Sequence, residues 1–302
     1  MNQLALIGLG RMGGNMARRL ARAGIAVAVH NRTPEVAQRL AAEEAHAQAY
    51  ARIEDMLASV KRPRIVWLML PAGAATEGTL ETLAPLLDAE DLVVNGANAY
   101  YRDSLAQAAR LAEKGIDYVD AGVSGGVWGL SNGYALMLGG RAQAVARLQP
   151  VIAALAPAAD QGWVHCGPVG SGHYAKMVHN GIEYGMMQSL AEGFAVLKKS
   201  QYKLDLGNVA EIYNNGSVIE SRLVGWMKGA FETYGADMKK VSGTVAHTGE
   251  GQWTVQTAKS LKVPAPVIGA SFKFRVDSAK KPSYTGKLLS ALRNQFGGHA
   301  VK

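Results

Sequence analysis

The stretch Gln3-Leu-Ala-Leu-Ile-Gly-Leu-Gly-Arg-Met-Gly13 decides the fold of this chain. Residues 3–7 have the composition of a buried strand, and glycines follow at positions 8, 10 and 13. Apolar residues then recur at helical spacing from Asn15 to Ala23, and a second apolar run, residues 26–30, begins after Gly24. A Gly-x-Gly-x-x-Gly motif between a strand and a helix is typical of a dinucleotide-binding unit.

Each glycine of this motif has a separate expected role. Gly8 permits a tight turn, Gly10 lets the backbone approach a pyrophosphate, and Gly13 lets the helix pack on the strand. The pyrophosphate would rest on the helix N-terminus, where free N–H groups and the helix dipole favour anions. We therefore predict that the whole loop binds the cofactor, through Gly8, Leu9, Gly10, Arg11, Met12 and Gly13.

The end of the second strand indicates which dinucleotide binds. NAD-binding units usually have an acidic residue there, which accepts hydrogen bonds from the ribose. This chain has His30-Asn-Arg-Thr-Pro34 and no acid. Arg32 can pair with a 2′-phosphate and stack on adenine, and Asn31 and Thr33 can donate to the same phosphate. NADP is therefore favoured over NAD. The alternative, compatible with the first, is that the segment turns the chain and caps a helix.

Further strands are predicted over 65–70, 92–94, 118–123, 134–140 and 164–166, with a helix over 143–155. Ligands collect outside the carboxyl ends of parallel strands. The residues that follow these strands should therefore line one crevice on the cofactor side, and they are Leu70, Pro71, Ala72, Asn98, Ser124, Gly125 and Gly126. We predict a Rossmann-type α/β N-terminal domain over residues 1–167.

The second half has helical patterns and no strand signal after Cys166. One long helix is expected over 173–199, and amphipathic segments follow at 207–214, 217–230, 255–262, 266–277 and 283–295. We predict an all-α domain over residues 168–302. Because the long helix begins where the strands cease, a catalytic cleft is expected between the two domains.

A polar stripe on the long helix is the strongest catalytic candidate. Lys176, His179, Asn180 and Glu183 have offsets of 0, 3, 4 and 7, so they share one helical face among apolar neighbours. Lys176 and Glu183 are roughly 10 Å apart along the helix axis, too far for the usual ion pair. This spacing suits two groups that act on different atoms of one extended substrate. The alternative is a surface helix with solvated charges.

Charge and composition exclude several classes of protein. The net charge is +8, but the basic residues are scattered and do not alternate with aromatic residues. Anionic small molecules are therefore favoured over nucleic acid as partners. No apolar run approaches ~18 residues, and the first one lacks a basic leader, so neither a membrane span nor a signal peptide is expected. A lone cysteine, Cys166, fits a reducing cytoplasm. No metal site is predicted.

The chain resembles the 6-phosphogluconate dehydrogenases of the β-hydroxyacid dehydrogenase superfamily. The most specific motif for this resemblance is Lys176-Met-Val-His-Asn-Gly-Ile-Glu-Tyr184, which hydroxyisobutyrate dehydrogenases lack. The supporting motifs are the glycine loop, Asn31-Arg-Thr33, Ser124-Gly-Gly126, Gly249-Glu-Gly-Gln-Trp-Thr254 and Arg293-Asn-Gln-Phe-Gly-Gly-His-Ala300. The length is similar to the short form of the family, with one helical unit.

The resemblance implies oxidation of 6-phosphogluconate at C3 and loss of C1 as carbon dioxide, giving ribulose 5-phosphate. Lys176 would accept the C3 hydroxyl proton and then polarise the keto oxygen, and Glu183 would protonate the product carbon. The other implied substrate-binding residues are Asn180, Asn98 and His179 for the hydroxyls, Ser124, Gly125 and Gly126 for the carboxylate, and Tyr184, Arg275, Arg293 and His299 for the phosphate. In the family a partner subunit's tail completes the phosphate end, which implies a homodimer or homotetramer.

Some residues depart from the family pattern. The family usually has Asp-Gly-Gly-Asn-Ser where this chain has Asn95-Gly-Ala97-Asn-Ala99, and long forms often have a lysine near Thr248. The added methyl group of Ala97 and the missing hydroxyl at Ala99 affect a loop expected near cofactor and substrate. Two alternatives stay open, the first of them because of this altered loop. One is a β-hydroxyacid dehydrogenase or imine reductase for an unphosphorylated substrate, and the other is a non-catalytic NADPH-binding sensor.

Overall fold

A computed structural model describes residues 3–301. The chain forms two compact units, one ending at Met177 and the other beginning at Val178. The strands end at Gly167, whereas the division falls later, inside a long helix. No helix within residues 3–301 is both long and apolar enough to cross a membrane.

An eight-stranded sheet forms the centre of the N-terminal unit, in the order β3-β2-β1-β4-β5-β6-β7-β8. All neighbouring strands are parallel except β6 and β7. The strands are β1 Gln3–Ile7, β2 Ala26–His30, β3 Ala47–Ala49, β4 Ile65–Leu68, β5 Leu92–Asn95, β6 Asp117–Ser124, β7 Ala135–Gly140 and β8 Trp163–Gly167. This arrangement confirms the predicted Rossmann-type class.

Helices of the N-terminal unit cover both faces of the sheet. They are α1 Arg11–Arg22, α2 Pro34–Glu43, α3 Ile53–Ser59, α4 Ala74–Leu83, α5 Tyr101–Ala112, α6 Gly129–Asn132, α7 Ala142–Ala146 and α8 Gln149–Leu155, with a one-turn 3₁₀ helix at Gly126–Trp128. Alternate strand residues enter opposite cores, because successive side chains of a strand point to opposite faces. Leu4 and Leu6 lie in one core, and Ala5 and Ile7 lie in the other.

The C-terminal unit is helical, as predicted. Its helices are α9 Ser171–Lys199, which begins before the division, α10 Leu206–Tyr213, α11 Arg222–Tyr234, α12 Glu250–Ser260, α13 Pro266–Ser278 and α14 Tyr284–Gly297. Met187 and Phe194 of α9 pack in one core with Phe231 of α11 and Leu288 of α14.

Several element predictions were wrong in detail. The single helix expected over 143–155 is two helices, α7 and α8, and the helix expected from residue 255 begins at Glu250. The segment expected to be helical from residue 217 begins its helix only at Arg222, because the Ser221 side chain accepts a hydrogen bond from the Val224 amide and caps the helix there. Strand β3 was not predicted, since it has only three residues and two of them are alanine, which is depleted in strands. It forms by pairing with β2, which is a tertiary contact.

Candidate active site

The glycine loop of the N-terminal unit has the geometry of a phosphate cradle. Gly8 has φ +97°, and a β-carbon added to it would lie 2.5 Å from the Met69 carbonyl oxygen. An added β-carbon on Gly13 would collide with the Gly8 carbonyl oxygen, so α1 packs directly on the turn. At Gly10, by contrast, an added β-carbon would meet no atom within 4 Å. The open side of the loop is therefore at Gly10, the N-cap of α1. These residues fit a bound pyrophosphate.

The Asn31 side chain holds this loop in place. Its Oδ1 accepts a hydrogen bond from the Leu9 amide at 3.0 Å, and its Nδ2 donates to the Thr33 carbonyl at 3.1 Å. Arg32 and Thr33 are exposed, and the Thr33 side chain makes no capping hydrogen bond to α2. The segment leads into α2 as the alternative interpretation expected, with Thr33 at the N-cap position and Pro34 as the first helical residue, but the cap has no side-chain hydrogen bond. Asn31 connects the end of β2 to the loop after β1, whereas Arg32 and Thr33 face solvent.

The remaining loop residues differ in exposure. Arg11 is exposed and Met12 is half-buried at the start of α1. After β4, Leu70 is half-buried, and Pro71 and Ala72 are exposed. Ser124 ends β6, Gly125 and Gly126 follow it, and all three are half-buried. All of these residues belong to the N-terminal unit and lie at or after the ends of β1, β4 or β6.

The loop after β5 presents Asn98 to solvent. Asn98 is exposed, whereas Ala97 and Ala99 on either side of it are buried. Ala97 and Ala99, which depart from the expected family pattern, therefore lie at buried positions of this unit. Asn98, which agrees with that pattern, lies at the accessible position between them.

Lys176 is fixed against the sheet of the N-terminal unit. It is 9% exposed, and a β-carbon added to Gly122 of β6 would lie 2.5 Å from its Cβ. The start of α9 also lies directly against β6 and β7. A β-carbon added to Gly172 would lie 2.5 Å from the Asp120 carbonyl oxygen of β6, and it would collide with the Met137 carbonyl oxygen of β7. Only glycines permit this approach of helix to sheet. It holds the Lys176 stem in one place.

Asp120, which sequence reasoning missed, anchors the beginning of α9. Its fully buried carboxylate accepts hydrogen bonds from the Gly170 amide at 2.6 Å and the His173 amide at 2.7 Å. Burial raises the pKa of Asp120 to about 6, although these amides partly oppose the rise. An anion at a helix N-terminus is stabilised by the free amides and the dipole. The only sequence feature that pointed to Asp120 was an acidic residue in the interior of a predicted strand.

His173 lies beside this anchor and is also buried. Its Nδ1 is 2.7 Å from the Ser104 hydroxyl on α5, and burial lowers its pKa to about 4. Between about pH 4 and 6.5 the unfolded chain binds a proton on His173 that the folded chain lacks, so this contribution to stability falls as pH falls. For Asp120, between about pH 3.8 and 6, the folded chain binds the extra proton, so stability falls as pH rises.

We expect His173→Gln to change the pH dependence of stability. In the variant only the Asp120 contribution of this pair remains, so its free energy of unfolding should decline relative to the parent as pH rises from about 4.5 to about 6.5. Urea unfolding at several pH values measures this difference, with His46→Gln at an exposed histidine as control. A stability difference that does not vary with pH would contradict a neutral, buried His173.

The polar stripe continues along α9 in the C-terminal unit. Asn180 is buried, and its Oδ1 lies 2.9 Å from His179 Nδ1. The same nitrogen lies 3.9 Å from a carboxylate oxygen of Glu183, and both of these side chains are partly exposed. His179 therefore contacts both of its polar neighbours on the stripe. Among the apolar neighbours, Met187 is buried and Met186 is exposed.

Two buried arginines and a tyrosine form a cationic cluster in the C-terminal unit. The Arg275 guanidinium carbon lies 3.3 Å from the centre of the Tyr184 ring, and Arg293 is close enough to lower the pKa of Arg275. Burial is the larger cause and brings the pKa of Arg275 to about 10. Burial also lowers the pKa of Arg293. The two buried guanidinium groups outnumber the one buried carboxylate that acts on them, that of Glu250, so the cluster has the character of an anion site.

Glu250, which was not among the predicted site residues, lies near this cluster. It is buried at the start of α12, it acts electrostatically on Arg275, Arg293 and Tyr184, and its carboxylate accepts from the Thr248 hydroxyl at 2.8 and 2.9 Å. Glu250 belongs to the motif at 249–254, which was a signal for it. Thr248, which departs from the lysine expected for long forms, therefore donates its hydroxyl hydrogen bond to Glu250.

His299 is placed by contacts at the end of α14. Its ring meets Phe296 edge to face, with centroids 6.4 Å apart, and the Asn294 side chain donates to its carbonyl at 2.8 Å. Gly298 has φ +60° and ends the helix, which turns the chain back. Within residues 3–301, no group of three or more His, Cys, Asp or Glu residues could hold a metal ion.

Comparison with known protein families agrees with both units. Residues 3–167 match the NAD binding domain of 6-phosphogluconate dehydrogenase, and residues 172–285 match the C-terminal domain of 6-phosphogluconate dehydrogenase. The chain belongs to the 6-phosphogluconate dehydrogenase family. It is therefore assigned to a family of NAD(P)-dependent oxidoreductases.

Individual relatives of this family differ in length and cofactor. A Haloferax volcanii 6-phosphogluconate dehydrogenase, NAD⁺-dependent and decarboxylating, is 40% identical over 99% of this chain and 98% of its own length. An NADP⁺-dependent, decarboxylating one from Bacillus subtilis is 34% identical over 92% of this chain, which spans only 62% of that longer protein. The Plasmodium falciparum 6-phosphogluconate dehydrogenase structure superposes with a TM-score of 0.80 at 25% identity, over 96% of this chain and 70% of that one.

Proposed function

We propose that this protein oxidises and decarboxylates 6-phosphogluconate to ribulose 5-phosphate with NADP. The observation that carries the substrate assignment is the buried cluster of Arg275, Arg293 and Tyr184. Guanidinium groups offer forked donors that match a phosphate, and the phosphate would offset the repulsion between the two cations. The Plasmodium relative was solved with NADP⁺ and with 6-phosphogluconate, which supports the same assignment.

Residues of α9 would handle the protons of the reaction. NADP, held by the glycine loop, would supply the acceptor for the hydride of C3. The neutral amine of Lys176 accepts the proton of the C3 hydroxyl, and the resulting ammonium donates a hydrogen bond to the C3 keto oxygen while C1 leaves as carbon dioxide. Protonated Glu183 then donates its proton to the carbon that becomes C1 of the product. Asn180, His179 and Asn98 orient hydroxyls, and Ser124, Gly125 and Gly126 bind the carboxylate.

A direct assay tests this proposal. Purified protein is supplied with NADP or NAD and with 6-phosphogluconate or gluconate, and reduced cofactor and carbon dioxide are measured together. We expect both products from 6-phosphogluconate and far less from gluconate. If neither product forms, the substrate assignment fails. If gluconate reacts equally well, the anion cluster does not bind the substrate phosphate.

The preference for NADP rests on exposed Arg32. Because one relative uses NAD and another NADP, family membership alone leaves this choice open. We expect Arg32→Ala to weaken NADP binding about 10- to 100-fold, because a charged hydrogen bond to the 2′-phosphate is lost. NAD binding should change by less than about threefold. Fluorescence titration of both reduced cofactors measures this, with Arg39→Ala on exposed α2 as control. Equal losses for both cofactors would contradict the role of Arg32.

We further propose that the protein is a homodimer or homotetramer, in which His299 contributes to a partner's phosphate site. Exposed apolar side chains support association, because such patches mark interfaces. Ile182, Met186 and Val267 are each about half exposed or more, and an added β-carbon on Gly185 would lie 3.4 Å from Val267, so these residues are neighbours. Sedimentation velocity tests this proposal, and a monomer at assay concentrations would contradict it.

A further inference from the structure

The loop after β5 is shaped by the side chain of Asn95. This residue ends β5 and is fully buried. Its Oδ1 accepts a hydrogen bond from the Ala97 amide at 2.9 Å, and the Ala99 amide donates to the Ala97 carbonyl at 2.9 Å. The two bonds close consecutive turns, and exposed Asn98 lies between the bonded amides. The Asn95 amide therefore holds the Ala97 amide, which directly precedes Asn98 in the loop.

The other end of the Asn95 side chain enters a buried polar network. Its Nδ2 donates to Gln107 Oε1 and to the Tyr118 hydroxyl, both at 3.0 Å, and Tyr118 donates to the same Gln107 oxygen at 2.6 Å. Gln107 Nε2 donates in turn to Glu77 Oε1 at 2.6 Å. Arg110 pairs with Glu77 at the surface. The network thus runs from a surface ion pair to the Asn98 loop.

The network has only one consistent direction. A Glu77 carboxylate can only accept, so it orients Gln107 with Nε2 outward and Oε1 inward. The inward oxygen needs donors, which Asn95 Nδ2 and the Tyr118 hydroxyl supply. Asn95 must then present its own oxygen to the Ala97 amide. Asn95, Gln107 and Tyr118 are buried, so a mismatched acceptor pair among these three groups would cost the full penalty of an unpaired polar group.

The helix that carries Glu77 also contacts the loop after β4. Glu77 lies in the first turn of α4, and the neighbouring Thr76 hydroxyl donates to the Pro71 carbonyl at 2.8 Å. Leu70, Pro71 and Ala72 precede this helix, and Asn98 precedes α5. Adjacent residues of α4 therefore contact two strand-end loops that are predicted on the cofactor side: Thr76 bonds the loop after β4, and Glu77 belongs to the network that reaches the loop after β5.

We propose that Asn95 is a positioning residue, and that the Glu77–Gln107–Asn95 network sets the orientation of Asn98 for cofactor and substrate. This inference rests on the proposed function for its kinetic consequence, but its structural consequence can be measured separately. The network also accounts for asparagine at position 95, because an acceptor-only side chain there would conflict with the inward Gln107 oxygen.

A double-mutant cycle tests the direction of the network. Asn95→Asp places an acceptor against Gln107 Oε1, and turning the Gln107 amide would only move the conflict to Glu77. Glu77→Gln removes that conflict, because its amide can donate to a turned Gln107 while its oxygen accepts from Arg110. We expect Asn95→Asp to lower kcat at least about tenfold, Glu77→Gln to lower it less than about twofold, and the double variant to recover to within about threefold of the parent.

The chemical state of the new carboxylate must be controlled. Groups that surround position 95 and titrate are Tyr118, Glu77, Asp120 and His173. Burial raises the pKa of Tyr118 above its ordinary value, so it remains a donor. Burial raises the pKa of a carboxyl at position 95, and its protonated form could donate to Gln107 Oε1, so the cycle is measured from about pH 7 to about pH 9, and the loss of kcat in Asn95→Asp should grow as pH rises. Glu81→Gln, exposed on the same helix one turn later, replaces Glu77→Gln in the control cycle.

Hydrogen exchange of the peptide that covers residues 96–100 provides a second measurement. Protection of the Ala97 and Ala99 amides should fall in Asn95→Asp and return in the double variant, and the Glu81→Gln cycle should show no return. If kcat and protection are the same in Asn95→Asp and the double variant, the inference is overturned. If the parent does not turn over 6-phosphogluconate, the proposed function fails, and the exchange measurement alone decides the inference.

Discussion

Lys176→Met is expected to reduce kcat with 6-phosphogluconate by about 10³-fold, because the group that accepts the C3 hydroxyl proton is removed. Binding of NADPH should change little, since the glycine loop and Arg32 are intact. Methionine keeps the length of the aliphatic stem that packs against Gly122, so the fold should be retained. Steady-state kinetics and fluorescence titration of NADPH measure the two effects.

Two further variants make this test specific. Lys176→Arg keeps the positive charge, but arginine does not lose its proton at ordinary pH, so it should be nearly as inactive as methionine. Lys199→Met, exposed at the end of the same helix, should keep the parent activity. If Lys176→Arg retained a large part of kcat, Lys176 would supply charge rather than accept a proton. Retention of activity by Lys176→Met would exclude both roles.

Asp120→Ala is expected to lower the free energy of unfolding by about 3 kcal/mol, because two buried amides lose their acceptors. Those amides belong to Gly170 and His173, at the start of the helix that carries Lys176. We therefore expect kcat to fall as well, even under conditions where the variant remains folded. Urea unfolding followed by circular dichroism measures stability, and the assay above measures kcat.

The conservative change at this position refines the interpretation. Asp120→Asn keeps one acceptor oxygen but turns a donor toward the second amide. Its free energy of unfolding should therefore lie between those of the parent and of Asp120→Ala. Asp55→Asn on the exposed face of α3 is the matched control and should leave stability unchanged. If Asp120→Ala were as stable as the control, the helix would be anchored by its glycine contacts alone.

Local features could be predicted because their causes are local. The glycine loop, the strand before it and the helix after it are neighbours in sequence, so their spacing indicates the nucleotide-binding unit directly. The offsets within 176–183 likewise follow from helix geometry. Boundaries were less predictable where one side chain decides them, as Ser221 does for α11.

The sequence by itself determined the fold class, the family, and the residues from which a site could be built. Only the tertiary structure decided which buried groups hold those residues. Asp120 is about fifty residues from the amides that donate to it. Arg275 of α13 contacts Tyr184 of α9, and Asn95 of β5 donates to Gln107 of α5 and Tyr118 of β6. Hydrophobic periodicity predicts which face of an element is apolar, but it does not predict the hydrogen-bond partner of a buried polar side chain. Those partners are set by how strands and helices pack, and the positions of Lys176 and Asn98 depend on them.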